Sequence, residues 1–250
     1  MDTLKTILRT TNNRQYSVLL LIIASISLFF GSCDKTTDEG PNSNVIPPPD
    51  SIVDIDGIVY HTIKIGNQYW MIENLNVTRY RNGDAIQNVK DDYAWANLST
   101  GAYCDYENNT SNSKTYGHLY NWHAVNDNRS LCPVGWHVPT NDEWFTLTNL
   151  LGGDEVAAGK LKEADTAHWL SPNEGATNET GFTALPGGYR DTDGSFSDIG
   201  FSGDWWSSTL FIQGVAWERL LYYRSPGVYT HGNAIRSGFS VRCIWNGTTK

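Results

Sequence analysis

"GWHVPTNDEW" occupies residues 135–144, and its reading decides how the middle of the chain folds. Thr140 and Glu143 stand in the S/T-x-x-E order of a capping box. In that motif the Thr hydroxyl accepts from the Glu amide, while the Glu carboxylate reaches back to the Thr amide. Pro139 restrains the entry, and Val138 points to a short strand feeding the turn. Beyond the cap, Trp144, Leu147, Leu150 and Leu151 supply an apolar helix face, and Gly152-Gly153 ends it. Asp154 then caps a second short helix running to about Glu163. A histidine between two tryptophans invites a catalytic reading. The spacing of the cap favours architecture: a strand, a proline-guided turn and a capped helix.

Upstream, YGHLYNWHAVN at residues 116–126 places Leu119, Trp122 and Val125 at helical spacing. Residues 79–103 are irregular, with a turn signal at Asn82-Gly83. Residues 58–65 (IVYHTIKI) and the following QYWMIENL flank Gly66-Asn67, the pattern of a β-hairpin. Downstream of Trp169 the texture turns to Gly, Asn, Ser and Thr with aromatics. GFTALPGGYRDTDGSFSDIG predicts strands around Asp193-Gly194, and DWWSST, AWERLLYY and GFSVRCIW predict more. Two or three helices in the first half and an irregular antiparallel sheet in the second make an α+β class.

The ends place the protein. Lys5, Arg9 and Arg14 precede the apolar run Val18–Phe30, which is followed by Gly31-Ser32-Cys33. A basic segment, a short apolar segment and small residues before a cleavage point make a secretory leader over residues 1–32. The cysteine directly after it resembles a bacterial lipobox, in which the Cys33 thiol is acylated and becomes the mature N-terminus. Residues 33–52 are polar and Pro/Asn/Asp-rich, with little to bury, and read as a flexible tether. Asp34-Lys35 with Asp38-Glu39 resembles an acidic surface-export signal. The expected location is the outer membrane, exposed at the cell surface, with the lipid as the membrane contact.

Residues 1–32 carry a net +2, so their removal takes the formal charge from −9 to −11. Nucleic acid needs a basic face and is not an expected partner. The rest suits one domain, residues 53–246. Three cysteines remain there, Cys104, Cys132 and Cys243, which allow one disulfide and leave one thiol; spacing alone leaves the pairing open.

NLNVTRYRNGDAI, AYC, YGHLYNWHAV, CPVGWHVPTNDEW, GATNETGFTALPGGYR, WWSST and GFSVRCI, in this order, resemble the Fibrobacter succinogenes major paralogous domain from about Asp54 to Ile244. That resemblance implies a secreted protein or lipoprotein, in keeping with Cys33. More distantly, a Trp-containing helix, a cysteine, Gly-x-His-x-Pro and a capped helix are similar to the C-type-lectin-like and formylglycine-generating-enzyme-like arrangement. This second resemblance implies that the two chain ends share one sheet and that Cys132 pairs with Cys243. Cys104–Cys243 is the competing pair.

Motifs for chemistry are sparse. The chain has no G-x-S-x-G elbow and no Walker loop. Formylglycine-generating enzymes use a pair of redox cysteines, and Cys243 has no partner nearby in sequence, so that activity does not carry over. His118 and His123 are off the i, i+4 spacing of a helical metal pair. His123 and His137 are expected to donate to backbone groups beside Trp122 and Trp136. Asp191-Thr192-Asp193-Gly194 reads as a turn, since the position that would complete a calcium loop holds Ser202. Against the Glu-Pro-Asn and Trp-Asn-Asp ligands of calcium lectins, the chain offers only Ser171-Pro172-Asn173 and no Trp-Asn-Asp. No metal, cofactor or catalytic residue is therefore expected.

The aromatic load is what remains. All ten tryptophans lie in the domain. Trp70, Trp122, Trp136 and Trp144 sit in patterned elements and are expected in the core. Trp205-Trp206 is different, because neighbours in a strand face opposite sides, which would leave one exposed. With Arg190, Trp217, Tyr222 and Tyr223 it could form a platform for a sugar ring or a protein partner. The expected function is a non-catalytic, envelope-anchored binding domain for glycan or protein, with a structural component of a surface assembly as the alternative.

Overall fold

Both ends of the described chain meet in one sheet. The computed structural model describes residues 47–247. The expected leader, the Cys33 lipid site and the tether through residue 46 lie outside the described residues. β1 (Ser51–Val53), β2 (Val59–Ile65) and β3 (Gln68–Met71) make an antiparallel meander. Ile65 pairs with Gln68 across the two-residue turn expected at Gly66-Asn67. Pairing begins at Ser51, two residues inside the segment expected to be tether.

The next stretch alternates short elements: β4 (Gln87–Asn88), α1 (Asp92–Ala96), β5 (Ala102–Cys104), α2 (Thr110–Tyr116), β6 (Leu119–Asn121) and α3 (Trp122–Val125). The single helix expected over 116–126 does not form. Gly117, at φ +77°, ends α2. Leu119–Asn121 then pairs as a strand with β5 and with β13 (Gly238–Phe239). Buried Asn121 holds this break open, its Oδ1 accepting from the amides of Ala102 and Ala124. Helical spacing was present, but sheet pairing satisfied the same backbone groups and won.

β7 (Trp136–His137) leads through Pro139 into α4 (Asn141–Leu150), and α5 (Asp154–Leu161) follows. The capping box forms as read: Glu143 N donates to Thr140 Oγ1, and Thr140 N donates to Glu143 Oε2 at 2.8 Å. α4 buries Trp144 and Leu147, and Leu151 at its C-cap is buried beside them. Leu150 was expected on that face but is exposed, lying over Gly66 of the hairpin turn. Asp154 does not cap α5. Gly153, at φ +95°, takes the cap position and Asp154 is the first helical residue, where its charge suits the positive helix end.

β8 (Gly187–Arg190), β9 (Phe196–Ile199), β10 (Ser202–Ile212), β11 (Val215–Tyr222), β12 (Val228–Ala234) and β14 (Ile244–Trp245) complete the fold. One sheet has the order β1-β2-β3-β14-β7. The other runs β12-β11-β10-β8-β13-β6-β5-β4, with β9 on β8. It is mixed, since β10 lies parallel to β8 and β4 parallel to β5. The class is α+β with strands predominating, and strands occur in both halves of the chain.

Cys132 and Cys243 form the disulfide, 111 residues apart, inside the main core cluster. Cys104 is free and buried, and burial pushes its thiol up to about 12. Gly135 explains the glycine of the opening stretch. Its φ is +85°, and an added Cβ would lie 2.5 Å from the Trp245 ring. Last-strand Trp245 is therefore seated on the residue before β7.

Candidate functional site

The expected platform of Arg190, Trp205, Trp206, Trp217 and Tyr222 is not a surface. Trp205 and Trp206 do face opposite sides of β10, but both sides are covered and both are fully buried. Trp206 packs on Phe239 at 4.4 Å and donates Nε1 to Tyr120 O. Trp205 donates Nε1 to Asn74 Oδ1 in the second core cluster. Arg190 is also fully buried. Its guanidinium donates to the carbonyls of Gly194, Val89 and Lys90 and to Asp92, and stacks between Trp95 and Phe196. Tyr223 is buried and Tyr222 half-buried, paired at 4.8 Å. The two side chains alternate as neighbours in a strand do, but packed layers cover both faces of β10.

Trp217 belongs to a different aromatic site. At the end of the β10–β11 hairpin, Leu210, Phe211 and Ile212 are about half exposed (47%, 49% and 58%). Register irregularities after Trp206 turn this strand end. Phe211 lies against half-buried Trp217 with ring centroids 4.3 Å apart. Gly232 of β12 makes room: a Cβ there would stand 2.7 Å from the Phe211 ring. No period-2 argument could find this pair, because the bulge breaks the period.

The opposite face of the same ribbon carries an acidic pocket. Asp204 on β10 and Glu218 on β11 are diagonal neighbours on the Trp206 face, and His231 on β12 pairs with Glu218. With Asp191 and Asp198 from the β8–β9 hairpin they line a pocket of about 230 Å³. Tyr189 and Phe239 supply aromatic wall. No Lys or Arg lines it. Asp204 Oδ2 accepts from Ser202 Oγ at 2.6 Å. Glu218 Oε1 lies 3.2 Å from His231 Nδ1, while its buried Oε2 has no hydrogen-bond partner. Burial, and then the Glu218 charge beside it, raises the Asp204 carboxyl well above the carboxylate range. The hydrogen bond to Glu218 raises His231. Asp204 and Glu218 were missed in sequence. The available signal was a charge in each of two aromatic strands, in DWW and in WER, where an apolar side chain would pack.

Two further concavities are built differently. An open polar cleft of about 580 Å³ surrounds Tyr80, whose ring carries the Arg129 guanidinium at 4.0 Å. His123 lines it, and burial followed by the nearby Arg236 charge lowers its titration. A cleft of about 300 Å³ has Arg242 and Asn74 in its lining. Asn74 Oδ1 accepts from Arg242 Nε and Nη2 and from Trp205 Nε1, and Arg242 Nη1 reaches Phe182 O. These groups are saturated by one another, which reads as structure.

His137 is not bound to backbone as expected. Its Nε2 lies 2.9 Å from both Glu143 oxygens and its Nδ1 faces Asn246 Oδ1. The Glu143 hydrogen bond raises its titration against the cost of burial. With both ring nitrogens on acceptors, the ring ties the α4 cap to the residue that follows β14. In the β8–β9 turn Asp191 and Asp193 bind their own backbone, Asp193 Oδ1 accepting from Ser195 N and Oγ. Among the described residues, no group of three His, Cys, Asp or Glu side chains is placed to hold a metal ion.

The family model described as Fibrobacter succinogenes major domain matches residues 63–245. No curated protein and no solved structure matches the chain.

Proposed function

The chain belongs to the Fibrobacter succinogenes major domain family, and from that premise we propose that it is the binding domain of a cell-envelope lipoprotein. In this reading lipid on Cys33 anchors it and residues 33–52 tether it at the outer-membrane surface. The domain binds glycan or protein and is not an enzyme. The observation that carries this is exposed Phe211 packed against half-buried Trp217, with exposed Leu210 and Ile212 beside it. Contiguous apolar surface of this kind marks interaction sites, and an aromatic pair suits the face of a sugar ring or an apolar side chain. A C-type-lectin-like arrangement is supported by the sheet that unites both chain ends and by the Cys132–Cys243 bond. A formylglycine-type activity finds little support, because it needs two redox thiols while Cys104 is buried and Cys243 is bonded to Cys132.

The test is glycan-array binding of the soluble domain from residue 47, with and without calcium, beside a pull-down from envelope extract. Saturable glycan binding lost in Trp217→Ala supports a lectin. Array silence with an envelope protein captured, and lost in Phe211→Ala, supports the alternative, a component of a surface assembly. Exposed apolar residues at a strand end favour that alternative. Neither result, in a well-folded domain, ends the reading.

A further inference from the structure

Glu218 is buried, and its Oε2 has no partner. Asp204 is buried beside it, and Asp191 and Asp198 stand on the walls, with no Lys or Arg in the lining. Buried carboxylates are costly when uncompensated, and proteins answer with a cation or a proton. Here the built-in answers are the Asp204 carboxyl, which burial and the Glu218 charge push toward its neutral form, and the exposed imidazole of His231. The acids are spread along the walls rather than converging in a group of three. That arrangement suits a cation with several N–H donors pointing apart.

The walls fit such a group. Tyr189 and Phe239 present rings, and Tyr229 stacks on His231 at the rim with centroids 6.1 Å apart. Aromatic faces attract cations and cover the aliphatic stem behind them. The volume, about 230 Å³, is below the ~300–1,000 Å³ of pockets that enclose drug-sized ligands. It has room for one side-chain head group and its stem. The whole chain is acidic, at −9, which steers basic partners toward it.

We propose that this pocket receives the ammonium or guanidinium group of a lysine or arginine side chain presented by a basic protein partner. The site is separate from the Phe211–Trp217 surface, and the proposal does not rest on that surface binding anything. On entry the cation takes the place of the proton on Asp204: the ligand brings one positive charge and one H⁺ leaves to solvent. Affinity therefore rises with pH, and binding weakens with salt.

The experiment is calorimetric titration of the full chain, solubilised in detergent, with a hexalysine peptide and a hexaarginine peptide. It is run near neutral pH in two buffers of different ionisation enthalpy. The expected result is saturable binding with proton release, weakened at least tenfold in Glu218→Gln. Removing an exposed charge elsewhere, as in Glu155→Gln, weakens it by less than twofold. Equal affinity of Glu218→Gln and Glu155→Gln overturns the proposal, because it assigns the attraction to net charge. Absence of binding overturns it, and so does binding of a glucosamine oligomer with neither peptide bound, which assigns the pocket to an amino sugar. Should Glu218→Gln not fold, the His231 ring signals of the unaltered chain decide. Bound peptide lowers the pH at which His231 protonates, and an unchanged titration at saturating peptide overturns the proposal.

Discussion

Asp204→Asn is expected to stabilise the fold increasingly as pH rises, the reverse of what losing a native carboxylate usually does. Asp204 is buried, beside Glu218 and with Asp198 beyond it, and these neighbours and the burial hold its carboxyl protonated. In the unfolded chain the same group ionises near ~3.9. Above that pH the native state keeps a proton that the unfolded state has released. The native state binds more protons, so stability falls with pH by about 1.4 kcal/mol per unit until the folded carboxyl ionises. Asparagine keeps the shape, accepts from Ser202 Oγ where Asp204 Oδ2 now does, and offers N–H to Glu218, but carries no titrating proton. The difference between variant and parent therefore isolates this one group. With rising pH it should grow in favour of the variant, by at most about 1.4 kcal/mol per unit. For a domain of this size each kcal/mol corresponds to roughly 2–4 °C in midpoint. Urea unfolding of both proteins at pH 4.5, 5.5 and 6.5 measures it. A stability difference that stays flat, or that turns against the variant with rising pH, refutes the argument that Asp204 holds a proton in the native pocket.

Asn74→Ala strips the buried Arg242 and Trp205 of their shared acceptor and should cost about 3–5 kcal/mol. A cost under ~1 kcal/mol in urea unfolding would mean that water replaces the amide. Replacing Cys132 and Cys243 by alanine opens a 111-residue loop and should cost about 5 kcal/mol in the chain-entropy model, a large part of a typical total of ~5–15 kcal/mol. Calorimetry on the oxidised and alanine forms checks this. Cys104, buried with its thiol pushed up to about 12, should not react with an aromatic disulfide reagent in the native soluble domain. In denaturant one thiol per chain should react; rapid native labelling would contradict its burial.

Where the governing interaction lies within a few residues, the sequence reading and the structure agree. The Thr140–Glu143 box spans one helical turn and the Gly66-Asn67 hairpin spans two residues, so their hydrogen bonds are decided by neighbours in the chain. The β8–β9 strands around Asp193-Gly194 follow for the same reason. The helix over 116–126 failed because Leu119–Asn121 found partners in β5 and β13, of which β13 lies more than a hundred residues downstream. The tryptophan platform failed because a period of two says which side chains share a face and not whether that face is covered. The Phe211–Trp217 pair depends on a bulge and on Gly232 across the sheet, and local pattern records neither.

Read alone, the amino-acid order determined the local grammar: the capping box, turns, short strands, the α+β class and a family resemblance that the family match bears out. The tertiary structure alone decided which cysteines lie within bonding distance and which tryptophans are sealed. It also decided that Asp204, Glu218 and His231, from three different strands, share one pocket that no Lys or Arg side chain lines. The physical reason is range. Caps and turns are fixed by hydrogen bonds between residues a few positions apart. Burial and the clustering of charge depend on strand order and register, which join residues that the chain itself keeps far apart.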